Sequence, residues 1–272
     1  VVAIDHRRLI GLRDPLGIRP LSIGKRNDTW FIASESCAFD TVGADLVRDV
    51  RPGEMVVIDE SGLSSYSVRP ASKEAFCVFE YIYFARADSI IGGKTVHEVR
   101  KEIGRMLSRQ AAVQGDVVIP APDSALSAAI GYAQEAQIPF DVGLAKNRYV
   151  GRTFIQPSPD LRNMGVRIKL NPISETVKGR RVILVDDSIV RGTTSANTIQ
   201  LLRERGVTEV HMMVASPPFS HPCRYGIDVP TSDQLIASDR TVEEICRLVG
   251  ADSLTYLSTE SLYQAVGISA EG

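Results

Sequence analysis

The chain has 272 residues, 24% of them charged and 44% hydrophobic, and a formal net charge of −2 at pH 7. That length can hold one large or two modest domains with a substantial core, and the near-balanced charge implies no general nucleic-acid surface. No apolar run approaches a membrane span, and Val1-Val-Ala-Ile-Asp-His6 lacks the regions of a signal peptide.

Four widely spaced cysteines, Cys37, Cys77, Cys223 and Cys246, form no C-x-x-C pair. A disulfide framework is therefore not expected, and a reducing cytoplasm is. The chain opens on Val1 in a strand-like run, so a processed or incomplete chain is expected.

Residues 1 to about 70 hold short β-like runs at Val1 to Ile4, Trp30 to Ala33 and Met55 to Ile58. Turn signals at Asp14-Pro, Pro52-Gly and Ser61-Gly separate them, which predicts part of an antiparallel sheet. Cys37 reads as a small buried thiol. Phe76 to Phe84 is apolar and aromatic apart from Glu80 and predicts a buried strand entering a second domain. The division is placed between residues 75 and 76. Thr95-Val-His-Glu98 has the form of a capping box, and Val96, Val99, Ile103, Met106 and Leu107 make one helix face. His97 falls on the outer side of that helix, with no second His four residues away to make a metal pair.

From Asp116 onward the pattern alternates. Asp116 to Pro120 is strand-like, Ala125 to Gln134 helical, and Pro139 to Ala145 strand-like. A long loop leads to a strand at Val182 to Val185, a helix to about Arg205, and a strand from Glu209 to Ser216. Thr241-Val-Glu-Glu244 caps another helix, and Ser258 to Val266 is the last. Strands alternating with helices predict an α/β fold around a parallel sheet.

Three stretches carry chemistry. In Arg181-Val-Ile-Leu-Val-Asp-Asp-Ser-Ile-Val-Arg-Gly-Thr-Thr-Ser195 a buried strand ends in Asp186 and Asp187. Ser188, Arg191, Gly192, Thr193, Thr194 and Ser195 follow, and a helix begins behind them. Loop amides at a helix N-terminus can hold a phosphate, and the carboxylates can accept ribose hydroxyls. Two adjacent like charges also call for a cation, ligand or donor. The Pro120-to-Ser127 loop offers Asp123 and Ser124 either as helix caps or as groups beside a phosphate. From Lys146 to Lys169 the bases Lys146, Arg148, Arg152, Arg162, Arg167 and Lys169 face one acid, Asp160. This reads as a lid over a phosphate site or as a solvated basic face.

The acidic-pair stretch resembles the phosphoribosyl-pyrophosphate (PRPP) motif of type I phosphoribosyltransferases. Arg13-Asp-Pro-Leu-Gly-Ile-Arg-Pro-Leu21, Ala33-Ser-Glu-Ser-Cys-Ala38, Cys77-Val-Phe-Glu-Tyr-Ile-Tyr-Phe-Ala-Arg86, Lys146-Asn-Arg-Tyr-Val-Gly-Arg-Thr-Phe-Ile155 and His221-Pro-Cys-Arg-Tyr-Gly-Ile-Asp228 narrow the match. Together they are similar to the glutamine PRPP amidotransferase family. The resemblance implies a type I phosphoribosyltransferase domain at 76–272, with a central parallel sheet. A partial α+β glutaminase domain of the N-terminal-nucleophile type would precede it at 1–75. No segment matches the family's nucleophilic cysteine or its glutamine-holding loop, so only the ammonia-dependent half-reaction is expected of this chain.

The implied reaction forms 5-phosphoribosylamine and pyrophosphate from PRPP and glutamine-derived ammonia, the first step of de novo purine synthesis. The resemblance makes Arg148, Tyr149, Lys169, Asp186 and Asp187 catalytic. It gives PRPP binding to Asp123, Ser124, Lys146, Ser188, Arg191, Gly192, Thr193, Thr194 and Ser195. It gives magnesium to Ser124, Asp186 and Asp187. Cys77 and Cys223 match two ligands of a 4Fe-4S cluster in one branch of the family; the other two belong to a Cys-x-x-Cys segment not found here, which argues against a complete cluster in this chain. Purine nucleotides are the implied inhibitors and a homo-oligomer the implied assembly, with no nucleic-acid or membrane partner. Two other functions fit the acidic motif: a transferase for a nucleobase, which needs an apolar hood, and a non-enzymatic module that senses PRPP or a nucleotide.

Overall fold

The computed structural model describes residues 1–69, 73–147, 170–227, 229 and 231–268. Chain contacts divide it into a first compact unit, Val1–Val99, and a second, Arg100–Gly267.

The first unit is built on two antiparallel sheets where one was expected. Strands β1 (Val2–Ile4), β2 (Leu9–Leu12), β6 (Glu54–Asp59) and β7 (Gly62–Ser67) form one, in that order. The other has β3 (Ser22–Arg26) at its centre, between β4 (Thr29–Ala33) and β5 (Asp45–Asp49). Asn27, at φ 52°, takes the left-handed conformation that a two-residue hairpin between Arg26 and Thr29 requires. Leu21, Ile23, Val50 and Val56 form a small core, against which Trp30, Ile32 and Leu63 pack. Helix α1 (Cys37–Val42) buries the Cys37 thiol, as expected.

Phe76 to Phe84 is a correction. Its second half is one turn of π-helix, Glu80–Phe84, not a strand. A short apolar run has no periodicity to tell the two apart. A charge on the run decides the matter. Glu80 pairs with Arg19 at 2.9 Å, and the same guanidinium lies 4.4 Å from the ring centre of Phe84. One arginine can meet residues 80 and 84 together only if they share a helical face. After it, β8 (Ile90–Ile91) and β9 (Lys94–Thr95) make a small hairpin that leads into helix α2 (Val96–Gln110).

The second unit carries the expected parallel sheet. Its strands are β10 (Val117–Pro120), β13 (Arg181–Asp186), β14 (Glu209–Val214) and β15 (Ser253–Tyr256), in that order. The last was hidden in the sequence, because Ser253-Leu-Thr-Tyr256 is short and three of its four residues carry hydroxyls. The expected strand over Pro139 to Ala145 is also corrected. Phe140 makes a single parallel bridge to Val118, and the strand proper, β11 (Leu144–Lys146), pairs antiparallel with β12 (Leu170–Pro172). Val182 to Val185 are buried on both faces of the sheet, each adding roughly 1.5–3 kcal/mol of apolar burial.

Helices α3 (Leu126–Ala136), α4 (Ser174–Val177), α5 (Thr193–Glu204), α6 (Val242–Val249) and α7 (Thr259–Val266) complete the unit. The expected capping box holds at α6: Thr241 Oγ1 accepts from Glu244 N at 3.2 Å, and Glu244 Oε2 accepts from Thr241 N at 2.8 Å. Helices α2 and α3 cross with no side chain between their closest points. A Cβ on Gly104 would lie 1.9 Å from Ala128 O, and one on Gly131 would lie 1.9 Å from Lys101 O. Among the described residues no helix is long and apolar enough to cross a membrane.

Glu54 ties the first unit's larger sheet to its core edge. It accepts from Arg48 Nη1 and Nη2 at 2.8 and 2.7 Å, from Ser65 Oγ at 2.5 Å and from Arg51 N at 2.6 Å. Burial alone would push its carboxyl up; these donors outweigh that and hold it at about 2, below an ordinary 4.5. Its stabilisation is therefore complete above pH 4.5 and is lost as the pH falls toward 2. We expect Glu54→Gln to cost about 1–3 kcal/mol at pH 7, toward the lower end because solvent screens Arg48. Urea melts from neutral to acid pH should show the gap to the unsubstituted chain closing as the pH drops.

Candidate active site at the carboxyl edge of the parallel sheet

Strand β13 runs through the core and delivers Asp186 and Asp187 at its carboxyl end. In-register pairing of Asp186 with Val214 keeps the sheet ordered to that point, and Ala215 N still donates to Asp186 O at 2.8 Å. Side chains alternate along a strand, so Asp186 continues the row of Leu184, and Asp187 that of Val185. The loop after β10 reaches the same edge, because Ala121 N donates to Val185 O at 2.8 Å. The peptide bond between Pro122 and Asp123 in this loop is cis.

This arrangement joins residues that lie 63 positions apart in the chain. Ser124 Oγ donates to Asp187 Oδ2, and Ser188 Oγ donates to Asp187 Oδ1 at 2.6 Å. Asp187 N donates to Asp186 Oδ1 at 2.9 Å. Asp187 is buried and Asp186 half-buried at the surface of the edge. Burial, and next the neighbouring Asp187 charge, push the Asp186 carboxyl well above the ordinary carboxylate range. Burial also pushes Asp187 up, against the pull of Ser124, Ser188 and the Arg100 guanidinium. Two acids held this way share too little positive charge to ionise freely, and a cation or a ring of hydroxyl donors would relieve them.

Behind the pair the backbone turns through Gly192, at φ 77°, into α5. Among the described residues no side chain caps this helix, and its first internal bond runs from Ala196 N to Gly192 O at 2.9 Å. The N–H groups of the first turn have no acceptor within a helix, so this end can receive an anion. Thr193, Thr194 and Arg191 are exposed around it, while Ser195 is buried. Lys146, at the end of β11, pairs with Asp123 at 2.6 Å; both are exposed.

The expected site residues thus fall into three groups. Ser124, Asp186, Asp187 and Ser188 are joined by hydrogen bonds. Arg191 to Ser195 form the adjoining helix entry, and Asp123 with Lys146 forms a separate exposed pair on the same unit. Arg148, Tyr149 and Lys169 lie outside the described residues. Cys77 belongs to the first unit, where its N–H donates to Ile18 O at 3.0 Å. Cys223 belongs to the second, where its Sγ accepts from Tyr225 N at 3.3 Å. Among the described residues no three His, Cys, Asp or Glu side chains are grouped as a metal site. Sequence reasoning missed Arg100, a buried arginine of α2 whose charge acts on Asp187. A charged residue among the apolar positions of a helix pattern was the available signal.

A family model of the phosphoribosyl transferase domain matches residues 94–225. The amidophosphoribosyltransferase of Bacillus subtilis is 54% identical over 97% of this chain, and that of Archaeoglobus fulgidus 52% over 95%. In each case the chain spans 56% of the relative's length. A solved structure of the glutamine PRPP amidotransferase from B. subtilis, complexed with ADP and GMP, superposes with a TM-score of 0.92 at 52% identity. It covers 98% of this chain, which in turn covers 58% of it. A second solved structure, of the allosteric regulatory enzyme of purine biosynthesis, gives 0.91 at 52% identity. The α/β fold of the second unit is that of the type I phosphoribosyltransferases.

A Cβ at Gly192 would stand 2.5 Å from Ile236 Cδ1, in a conformation that L residues avoid. We expect Gly192→Ala to cost about 1–2 kcal/mol from the backbone alone, with the clash in addition. In urea melts Ile236→Ala should recover part of the loss when combined with it; strictly additive effects would show that the two positions do not meet.

Proposed function

We propose that this chain, a homologue of the amidophosphoribosyltransferases along nearly all of its own length, catalyses the transfer of the phosphoribosyl group from PRPP to ammonia. One observation carries the reading: an acidic pair at a strand end, Asp187 buried and supplied with hydroxyls by Ser124 and Ser188, Asp186 half-buried beside it, followed at once by a glycine-entered helix N-terminus. Ribose hydroxyls need acceptors and a 5′-phosphate needs donors, and the stretch provides both within a few residues.

In this mechanism the α5 amides, with Ser188, Thr193, Thr194 and Ser195, hold the 5′-phosphate, and Arg191 adds charge at its rim. Asp186 and Asp187 accept hydrogen bonds from the ribose hydroxyls. As the bond from C1 to pyrophosphate lengthens, positive charge grows on the sugar ring, and the same carboxylates stabilise it. Ammonia attacks C1 from the opposite face as the bond to pyrophosphate breaks, and the new amine then gives a proton to the released pyrophosphate or to solvent. Asp123, Ser124 and Lys146 serve the pyrophosphate side. Arg148, Tyr149 and Lys169, on the basic segment, are the proposed groups that close over the reacting centre and exclude water.

Two carboxylates and a hydroxyl are hard oxygen donors, and magnesium is commonly held by one or two carboxylates together with substrate phosphates. Ser124, Asp186 and Asp187 fit that pattern. When bound, magnesium would neutralise charge on the diphosphate. In the same proposal residues 1–75 are the glutaminase-type portion and 76–272 the transferase portion. The nucleotides on the solved B. subtilis relative support purine nucleotides as inhibitors. A cytoplasmic homo-oligomer belongs to the same reading, as does the parentage of Cys77 and Cys223 in a cluster-binding branch.

The test is pyrophosphate release from PRPP and magnesium, with ammonia and with glutamine in parallel. Release with ammonia is the expected outcome, and chelation of magnesium should weaken PRPP binding in a calorimeter. Asp187→Ala should abolish release while the circular dichroism spectrum and urea midpoint stay near those of the unsubstituted chain. Full activity in that variant would remove the acidic pair from the mechanism. PRPP binding with no release for any amine would instead point to a sensing module.

A further inference from the structure

Three contacts from one distant segment fall on three consecutive residues of the phosphate-side loop. Ile236 N donates to Val190 O at 2.9 Å. The Arg191 guanidinium donates through Nη2 to Gln234 Oε1. The Ile236 side chain fills the place where Gly192 would carry a Cβ, with Cδ1 2.5 Å from that point. Ile236 is itself anchored, 8% exposed in the core cluster that includes Ile189, Ile199 and Val249. Gln234 ends a single 3₁₀ turn, Ser232–Gln234, and its Nε2 donates to Thr231 Oγ1 at 3.4 Å. The segment closes with Ser238 Oγ donating to Leu235 O at 2.8 Å.

We propose that Gln234 and Ile236 form a brace that presets the 190–192 loop for a phosphate monoester, Ile236 by fixing the backbone and Gln234 by aiming the Arg191 guanidinium without quenching its charge. The choice of side chain matters. A neutral amide oxygen can hold a guanidinium in place and leave its full positive charge for the ligand. A carboxylate at the same point would hold it equally well and cancel it. Gln234 is on this view a positioning residue acting through Arg191. The inference rests on the proposed function only for the identity of the ligand; the brace itself is a property of the free chain.

The experiment uses the full 272-residue chain and two readouts. Hydrogen exchange of the 188–195 amides reports the brace with no ligand present, and PRPP affinity with ammonia-dependent turnover reports its use. In Gln234→Leu we expect faster exchange at 190–192 and a Kd and KM for PRPP raised about tenfold, with kcat at saturating PRPP within about twofold. In Gln234→Glu exchange should stay as in the unsubstituted chain while PRPP affinity falls, most at low salt. Exchange and affinity both unchanged in Gln234→Leu would overturn the brace. Unsubstituted affinity in Gln234→Glu would overturn the charge-sparing role. If exchange responds and the unsubstituted chain binds no PRPP, the brace stands and the phosphoribosyl reading falls.

Discussion

Two carboxylates side by side, largely taken out of water at the end of a strand whose four central residues are buried, are the constraint on which the second unit depends. Neither is comfortable there: burial raises both, and each raises the free energy of ionising the other. The surroundings accept that cost and limit it. Val182 to Val185 must be apolar to carry the strand through the core, and Ser124 and Arg100, from two distant places in the chain, must join the adjacent Ser188 in acting on Asp187. A site assembled this way has free energy in reserve for whatever brings compensating charge or hydroxyl donors.

The first unit shows what buried charge looks like when it is purely architectural. Glu54 is as buried as Asp187, yet a bidentate arginine, a serine and a backbone amide saturate it, and its carboxyl sits near 2. Glu80 is intermediate: burial pushes it up and Arg19 pulls it back. The contrast lies in the number of donors per carboxylate. Saturated acids stabilise a fold, while undersupplied ones at a sheet edge are where ligands belong.

Much of this could be read from the chain, and what could not has a common cause. Three of the four parallel strands announced themselves by their apolar residues, the α6 capping box as Thr241 and Glu244, and the acidic pair by its place before Gly192. Each of those signals is local. The turn at Glu80–Phe84 was misread because its deciding partner, Arg19, is 61 residues away. Strand β15 was missed because its burial comes from β14 and not from its own composition. Arg100 beside Asp187 and Gln234 beside Arg191 leave no spacing signature either, since tertiary packing alone brings them together.

The crossing of α2 and α3 at Gly104 and Gly131 works as a ruler made of backbone. Where helices meet through side chains, a smaller residue on one can be matched by a larger one on the other, and the spacing drifts as sequences diverge. At this crossing there is no side chain to exchange. The distance between the helix carrying Arg100 and the helix that follows Ser124 is set by the thickness of two peptide chains. Surface and core positions elsewhere on these helices are thereby free to change without carrying the approach to Asp187 along with them.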